Sequence, residues 1–234
     1  MQPRTLVLLA LAAAAVLAVT VGAFFASRSS WMHARGIEVD GASRLPRAQV
    51  VDAAGVSLAT NVLWLDEGAV ERRLEAVPWI ADAEVRVALP WTIEIAVVER
   101  APVAIPSDGL REVLVAPDGT TLGPADGTRG LPRIQLSPPA ASGGAVQSAR
   151  GAAVALGAMD PELRAEVASV TVLVDGSLEM RLRGGVSVRY GESVDVRRKA
   201  ALLERILRWA SRDGEWLAAV SVVAPGHPAV RLVD

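Results

Sequence analysis

The 234-residue sequence contains no cysteine. That one absence excludes structural disulfides, thiolate zinc sites and cysteine nucleophiles together. It does not place the chain in the cytoplasm, because proteins on either side of a membrane can lack cysteine. Histidine is almost missing as well. His33 and His227 stand far apart and give no pair at metal-ligand spacing. Aromatic residues make up 4% of the chain while 51% is apolar, so a core has to be built from Val, Leu, Ala and Ile. The net charge of −2 lacks the basic excess with which a nucleic-acid binder releases counterions.

What the sequence does have is one long apolar run. Thr5 to Ser27 holds no charged residue and is rich in Leu, Ala and Val. As a helix it would rise about 34 Å, enough to cross a hydrocarbon core of about 30 Å. A buried core helix would show a polar face, and this run shows none. A cleaved signal peptide is the rival, with Met1 to Arg4 as its n-region and Val21-Gly22-Ala23 at the cleavage site. Against cleavage, the run exceeds the usual stretch of about 7–15 residues and continues through Phe24 and Phe25. Arg4 on one side and Arg28, His33 and Arg35 on the other give the positive-inside rule little to decide. Because nearly all of the chain follows the run, the expected topology is type II. Residues 1–4 then form a cytoplasmic tail, 5–27 span the membrane and the remainder lies outside.

The next stretch predicts strand, helix, helix, strand, strand. Gly36 to Val39 reads as a strand closed by Asp40-Gly41. Pro46 opens a helix with Val50, Val51 and Ala54 on its apolar side, and Gly55 ends it. Asp66 is a natural N-cap for a second helix carrying Val70, Leu74 and Val77, which Pro78 stops. Val85, Val87 and Leu89 alternate, and so do Ile93, Ile95 and Val97 after a turn at Pro90.

From Val103 the pattern is mostly β. Val113 to Val115 and Thr120 to Leu122 flank the turn Pro117-Asp118-Gly119. Ser137 to Gly144 reads as an exposed loop, Ala149 to Ala158 as a helix, and Asp160-Pro161-Glu162 as the start of another. Val170, Val172 and Val174 turn at Asp175-Gly176 into Leu178, Met180 and Leu182, and Val186, Val188 and Tyr190 follow. A helix over about 194–210 packs Leu203, Ile206, Leu207 and Ala210, leaving Arg197, Arg198, Lys199, Arg205 and Arg208 on the rest. Such a basic face reads as solvated, with anionic headgroups the alternative. Two strands, Ala219 to Val223 and Ala229 to Val233, close the chain around Pro225-Gly226-His227-Pro228. A last strand at a sheet edge exposes backbone groups that a partner strand can complete.

No catalytic constellation is visible. There is no nucleophile elbow, no phosphate-cradling glycine loop and no histidine pair at ligand spacing. Asp66-Glu67 reads as a cap, and Asp82 with Glu84 as solvated strand residues. Ser187 and Ser221 have no base nearby in sequence. The expectation is no enzyme activity, no cofactor, no metal and no small-molecule substrate.

Two passages carry a resemblance. Leu74-Glu75-Ala76-Val77-Pro78-Trp79-Ile80-Ala81-Asp82-Ala83-Glu84-Val85-Arg86 resembles the passage from second helix to strand in a POTRA domain. Pro90-Trp91-Thr92-Ile93-Glu94-Ile95, followed by Val98-Glu99-Arg100-Ala101-Pro102-Val103-Ala104, resembles the FtsQ/DivIB family of bacterial cell-division proteins. Ile37-Glu38-Val39-Asp40-Gly41, Leu131-Pro132-Arg133-Ile134 and the spacing from Gly191 to Lys199 fit the same family. One departure is that the aromatic follows the proline in Leu89-Pro90-Trp91, where the family commonly has Trp-Pro. Read without the family, Pro78-Trp79 is a helix stop with an anchor packed on the sheet, and Glu99-Arg100 a strand end with a surface ion pair.

The resemblance implies an α+β chain: an N-terminal transmembrane helix, a POTRA domain (βααββ) over 34–103, and a mixed α/β domain with a largely antiparallel sheet over 104–234. It implies a division scaffold in the cell inner membrane, at the septum, with its C-terminal part extracytoplasmic. The implied partners are FtsB and FtsL, recruited to regulate septal peptidoglycan synthesis. The positions that match the family's recruiting hairpin are Ala224, Gly226, Ala229, Val230, Arg231 and Leu232. Two other readings stay open: another POTRA-containing envelope transport or assembly protein, and a secreted envelope protein released from its signal peptide.

Overall fold

The computed structural model describes residues 3–107, 112–126, 128–137 and 149–233, with the side chains of the first helix described from Leu11 onward. The chain divides into two compact units, Met1–Glu99 and Arg100–Asp234.

The first unit begins with helix α1 (Pro3–Ser27), on which the expected span at 5–27 falls. Among the described residues, no helix is long and apolar enough to cross a membrane. Strand β1 (Gly36–Asp40), helices α2 (Arg47–Ala54) and α3 (Glu67–Glu75), and strands β2 (Ile80–Ala88) and β3 (Thr92–Glu99) follow in the expected βααββ order. The local chemistry explains the boundaries. Gly55 takes the left-handed conformation that closes α2, and the Asp66 carboxylate accepts from Ala69 N–H at 2.9 Å to open α3. Asn61 caps a 3₁₀ turn over Val62–Trp64 in the same way, accepting from Leu63 N–H at 3.0 Å.

The sheet order is β1-β3-β2, with β1 parallel to β3 and β2 antiparallel to it. Val50, Val70, Leu74, Ile80, Ile93 and Ile95 from four elements share one core. Each fully buried aliphatic of this kind contributes about 1.5–3 kcal/mol of transfer free energy. Gly41 sits against the carbonyl of Val97, at positive φ, where a Cβ would lie 2.0 Å from that oxygen. Leu89, expected to continue the alternation of β2, lies instead in the turn before β3 and is exposed. Trp79 is half-buried rather than seated in the core, with the Arg44 guanidinium 5.4 Å from its ring centre.

The second unit holds β4 (Ile105–Pro106), β5 (Val113–Val115), β6 (Thr121–Pro124), β7 (Arg133–Ser137), α4 (Arg150–Gly157), α5 (Pro161–Glu166), β8 (Val167–Leu173), β9 (Leu178–Leu182), β10 (Ser187–Gly191), α6 (Val196–Asp213), β11 (Leu217–Ser221) and β12 (Ala229–Leu232). The loop expected over 137–144 lies outside the described residues, apart from Ser137 at the end of β7. Seven strands form one sheet in the order β12-β11-β10-β9-β8-β7-β4. The expectation of a largely antiparallel sheet needs correcting. The β11–β12, β9–β10 and β8–β9 pairs are antiparallel, while β10–β11, β7–β8 and β4–β7 are parallel. The cause is topological, because a helical crossover returns the chain in the same direction. α6 joins β10 to β11, and α4 with α5 lies between β7 and β8. Leu156, Leu163, Val170, Met180, Tyr190, Leu203, Ile206 and Val220 build its core.

Candidate partner-binding edge

Strands β11 and β12 form a hairpin whose connection holds Ala224 and Gly226, with His227 N–H donating to the Ala224 carbonyl at 3.0 Å. Ser221 stands opposite Ala229, Val220 opposite Val230, and Ala219 opposite Arg231. The direction of each backbone group follows from parity. Val222 N–H donates to the Arg189 carbonyl at 3.0 Å, toward β10, so Val220, two residues earlier, also faces β10. Ser221 and Ala219 therefore face β12, and their partners Ala229 and Arg231 carry the hydrogen-bonded pairs. Val230 belongs to the alternate pair, and both its N–H and its C=O point to the outer edge. Val233 N–H donates inward to the Trp216 carbonyl at 2.7 Å, which continues the alternation and turns Leu232 outward too. Among the described residues, no strand pairs with this edge.

Side chains alternate on the same register. Val230 lies beside buried Val220 on the core side, and Ala229 and Arg231 lie on the opposite face beside Ser221 and Ala219. Val230 and Leu232 each remain 40% exposed, and Trp216 next to the end of β12 is 80% exposed. The six positions expected from sequence, Ala224, Gly226, Ala229, Val230, Arg231 and Leu232, thus all lie exposed on one hairpin.

Sequence reasoning missed the sheet face that adjoins this edge. Ser169, Arg181, Ser187, Ala219 and Arg231 form one row across five strands, and Thr171, Glu179, Arg189, Ser221 and Ala229 form the next. The helices cover the other face, and these rows line an open groove of about 440 Å³. Small residues leave room between the long guanidinium side chains, and Glu179 is the acid among them. The signal was present: these are the polar or small positions that alternate with the larger apolar ones in each strand.

A second correction concerns Lys199. Its expected place on the solvated face of α6 is wrong, because it is 1% exposed. Its ammonium donates to the carbonyls of Tyr190 at 3.0 Å and Glu192 at 2.8 Å, where the chain leaves β10. Burial lowers its pKa, and the nearby carboxylates of Asp195 and Glu192 oppose that shift. Tyr190 is buried beside it, its hydroxyl donating to the Val196 carbonyl at 2.9 Å. Burial pushes the phenol well above its ordinary value. Lysine and tyrosine together tie the end of β10 to the start of α6, which sets the position of β11 and hence of β12.

Glu99-Arg100 is not an ion pair of neighbours. The Glu99 carboxylate accepts from the backbone N–H groups of Ser43, Arg44 and Leu45, at 2.9–3.1 Å, and from the Ser43 hydroxyl at 2.7 Å. Burial acts to raise its pKa, but these hydrogen bonds jointly outweigh it and hold the carboxyl below its ordinary value. Arg100 pairs with Asp118 in the second unit, Nε to Oδ2 at 2.9 Å. Among the described residues, no three of His, Asp and Glu are grouped to hold a metal ion. The chemistry on offer is backbone pairing, charge and apolar contact.

Comparison with known proteins gives these features a family context. Residues 32–100 match the POTRA domain, FtsQ-type, and residues 104–221 match the cell division protein FtsQ/DivIB C-terminal family. The second match ends before β12. A cell division protein FtsQ of Streptomyces bingchenggensis is 31% identical over 208 residues, covering 86% of this chain and 77% of that protein. That of Streptomyces coelicolor is 29% identical over 233 residues, covering 95% and 87%. That of Mycolicibacterium smegmatis is 29% identical over 176 residues, covering 75% of this chain and 52% of that protein.

Proposed function

The chain belongs to the FtsQ/DivIB family of bacterial cell-division proteins, and on that premise we propose that it is a non-catalytic divisome scaffold that captures partner proteins on the edge of β12. In this reading residues 5–27 anchor it in the inner membrane with residues 1–4 inside, 34–103 are its POTRA domain, and 104–234 its partner-binding domain outside the cytoplasm at the septum. Support for the anchor comes from α1, a helix over Pro3–Ser27 with no charged residue after Arg4. The partners are FtsB and FtsL, and their recruitment regulates septal peptidoglycan synthesis.

The observation that carries the reading is the outward pair of backbone groups on Val230. A strand laid against β12 would accept from the Val230 N–H and donate to its C=O, with Leu232 repeating the pattern. Its side chains would alternate between the apolar rim at Val230 and Leu232 and the arginine-bearing face at Arg231. Ala224 and Gly226 leave the hairpin end uncluttered for that approach.

Val230→Pro tests this. The substitution removes a donor that β11 does not use and puts a ring in the path of an incoming strand, at an edge position where proline is tolerated. Capture of FtsB from detergent-solubilised membranes should fall at least about tenfold, equivalent to 1.4 kcal/mol, with thermal unfolding unchanged. Capture at the unsubstituted level would overturn strand addition at this edge.

A further inference from the structure

The first unit has a face that the division reading does not use. Four backbone and side-chain contacts gather three segments at the end of α1. Asn61 Nδ2 donates to the Ser27 carbonyl at 2.8 Å, tying the last turn of α1 to the loop before α3. Ala34 N–H donates to the Thr60 carbonyl at 2.9 Å, and His33 bridges Asn61. Arg35 N–H donates to the Trp91 carbonyl at 2.8 Å, bringing in the turn between β2 and β3.

These segments expose large apolar side chains. Trp31 is 81% exposed, Leu89 80%, Trp64 62% and Leu58 60%, with Leu63 close behind. A lone exposed leucine needs no explanation, but five such residues on three segments bound to one another do. Charge follows the same pattern. Residues 27–37 contain Arg28 and Arg35 and no acid, and residues 53–65 and 87–91 contain no charged side chain at all. Where acids begin, at the start of α3, their carboxylates are engaged: Asp66 by Ala69 N–H and Glu67 by Val87 N–H.

We infer that this end of the POTRA unit sits in the interfacial layer of the bilayer that α1 crosses, with Trp31, Leu58, Leu63, Trp64 and Leu89 at the boundary of headgroups and acyl chains. The inference rests on the reading of α1 as a membrane anchor. Tryptophan is favoured at that depth because its ring is apolar and its N–H finds a wet partner. Arg28 and Arg35 face anionic headgroups. The occupant is lipid rather than a protein partner because the patch is continuous with the end of the apolar helix and lacks acidic residues. The consequence is mechanical: the POTRA unit is seated on the membrane and does not swing freely from its anchor.

Because the chain has no cysteine, single-cysteine labelling is clean. Full-length protein is reconstituted in phosphatidylethanolamine/phosphatidylglycerol vesicles, carrying an environment-sensitive fluorophore at Val16→Cys, Leu63→Cys or Gln49→Cys. Quenching by nitroxides placed near the headgroups and deep in the acyl chains is then read. The Leu63 label should emit to the blue and lose intensity to the shallow nitroxide, the Val16 label to the deep one, and the Gln49 label to neither. A Leu63 label that stays water-like while Val16 is quenched overturns the seating and leaves the anchor standing. A blue-shifted Leu63 label untouched by lipid nitroxides means protein covers the patch, which also overturns it. A Val16 label that no lipid quenches removes the anchor and the seating together.

Discussion

The three-stranded sheet of the first unit and the seven-stranded sheet of the second both end in strands whose outer backbone groups point away from the sheet, yet the two are finished differently. On β2 two of the outward donors are taken. Val85 N–H donates to Glu71 Oε1 and Val87 N–H to Glu67 Oε1, each at 3.0 Å, from the helix that lies alongside. On β1, the Ile37 carbonyl accepts from the Arg47 guanidinium. In the second unit β4 is two residues long and includes Pro106, which cannot donate. On β12 the outward groups of Val230 and Leu232 have no partner strand among the described residues, and the side chains beside them are apolar and exposed. Edges are liabilities for aggregation, and the side-chain and proline cover at the other three ends contrasts with the β12 edge that the proposed strand addition uses.

The comparison can be broken by direct changes to either sheet. The largest effect is expected for Gly41→Ala, which drives a methyl into the Val97 carbonyl at a backbone angle that alanine resists. It should destabilise the first unit by about 3 kcal/mol in chemical denaturation, while FtsB capture by the folded protein under native conditions persists, because β12 belongs to the other unit.

Opening the closed edge should cost less. Glu67→Ala combined with Glu71→Ala leaves the Val85 and Val87 donors without their carboxylates, a loss of about 1–2 kcal/mol for two partly exposed hydrogen bonds. The double variant should also self-associate in sedimentation at concentrations where the parent chain does not, now that β2 offers pairing of its own.

The smallest effect is on pH dependence. Glu99 has a folded pKa held below the ordinary 4.5 of its free carboxyl. Its contribution to stability is therefore complete above that value and is lost as pH falls through the lower folded value. Unfolding of the first unit followed between neutral and acid pH should show this loss, and Glu99→Gln should remove that component.

Much of the fold was legible because its boundaries are written in local chemistry. Pro46, Gly55, Asp66, Pro78, Asp160-Pro161 and Asp175-Gly176 each act within a few residues, and each element starts or stops there. What stayed hidden depends on partners distant in sequence. Nothing near Lys199 says that two carbonyls at the end of β10 will turn toward it. The glutamates of α3 look like ordinary helix surface until β2 is placed beside them. Parallel pairing of β10 with β11 is set by how α6 packs, not by the strand residues themselves. The six hairpin positions were located through resemblance and are gathered by the register of β11 with β12. The outward backbone of Val230 and Leu232, on which the proposed strand addition rests, became visible only from that register.

Amide hydrogen exchange at single-residue resolution, on the full chain with and without FtsB, tests the open edge most directly. Exchange at Val230 and Leu232 should slow by at least about tenfold when the partner is added, while Val85 and Val87 keep the rates they have without it. Unchanged exchange at Val230 and Leu232 in the presence of bound FtsB would contradict the account, since the partner would then be held somewhere other than the edge of β12.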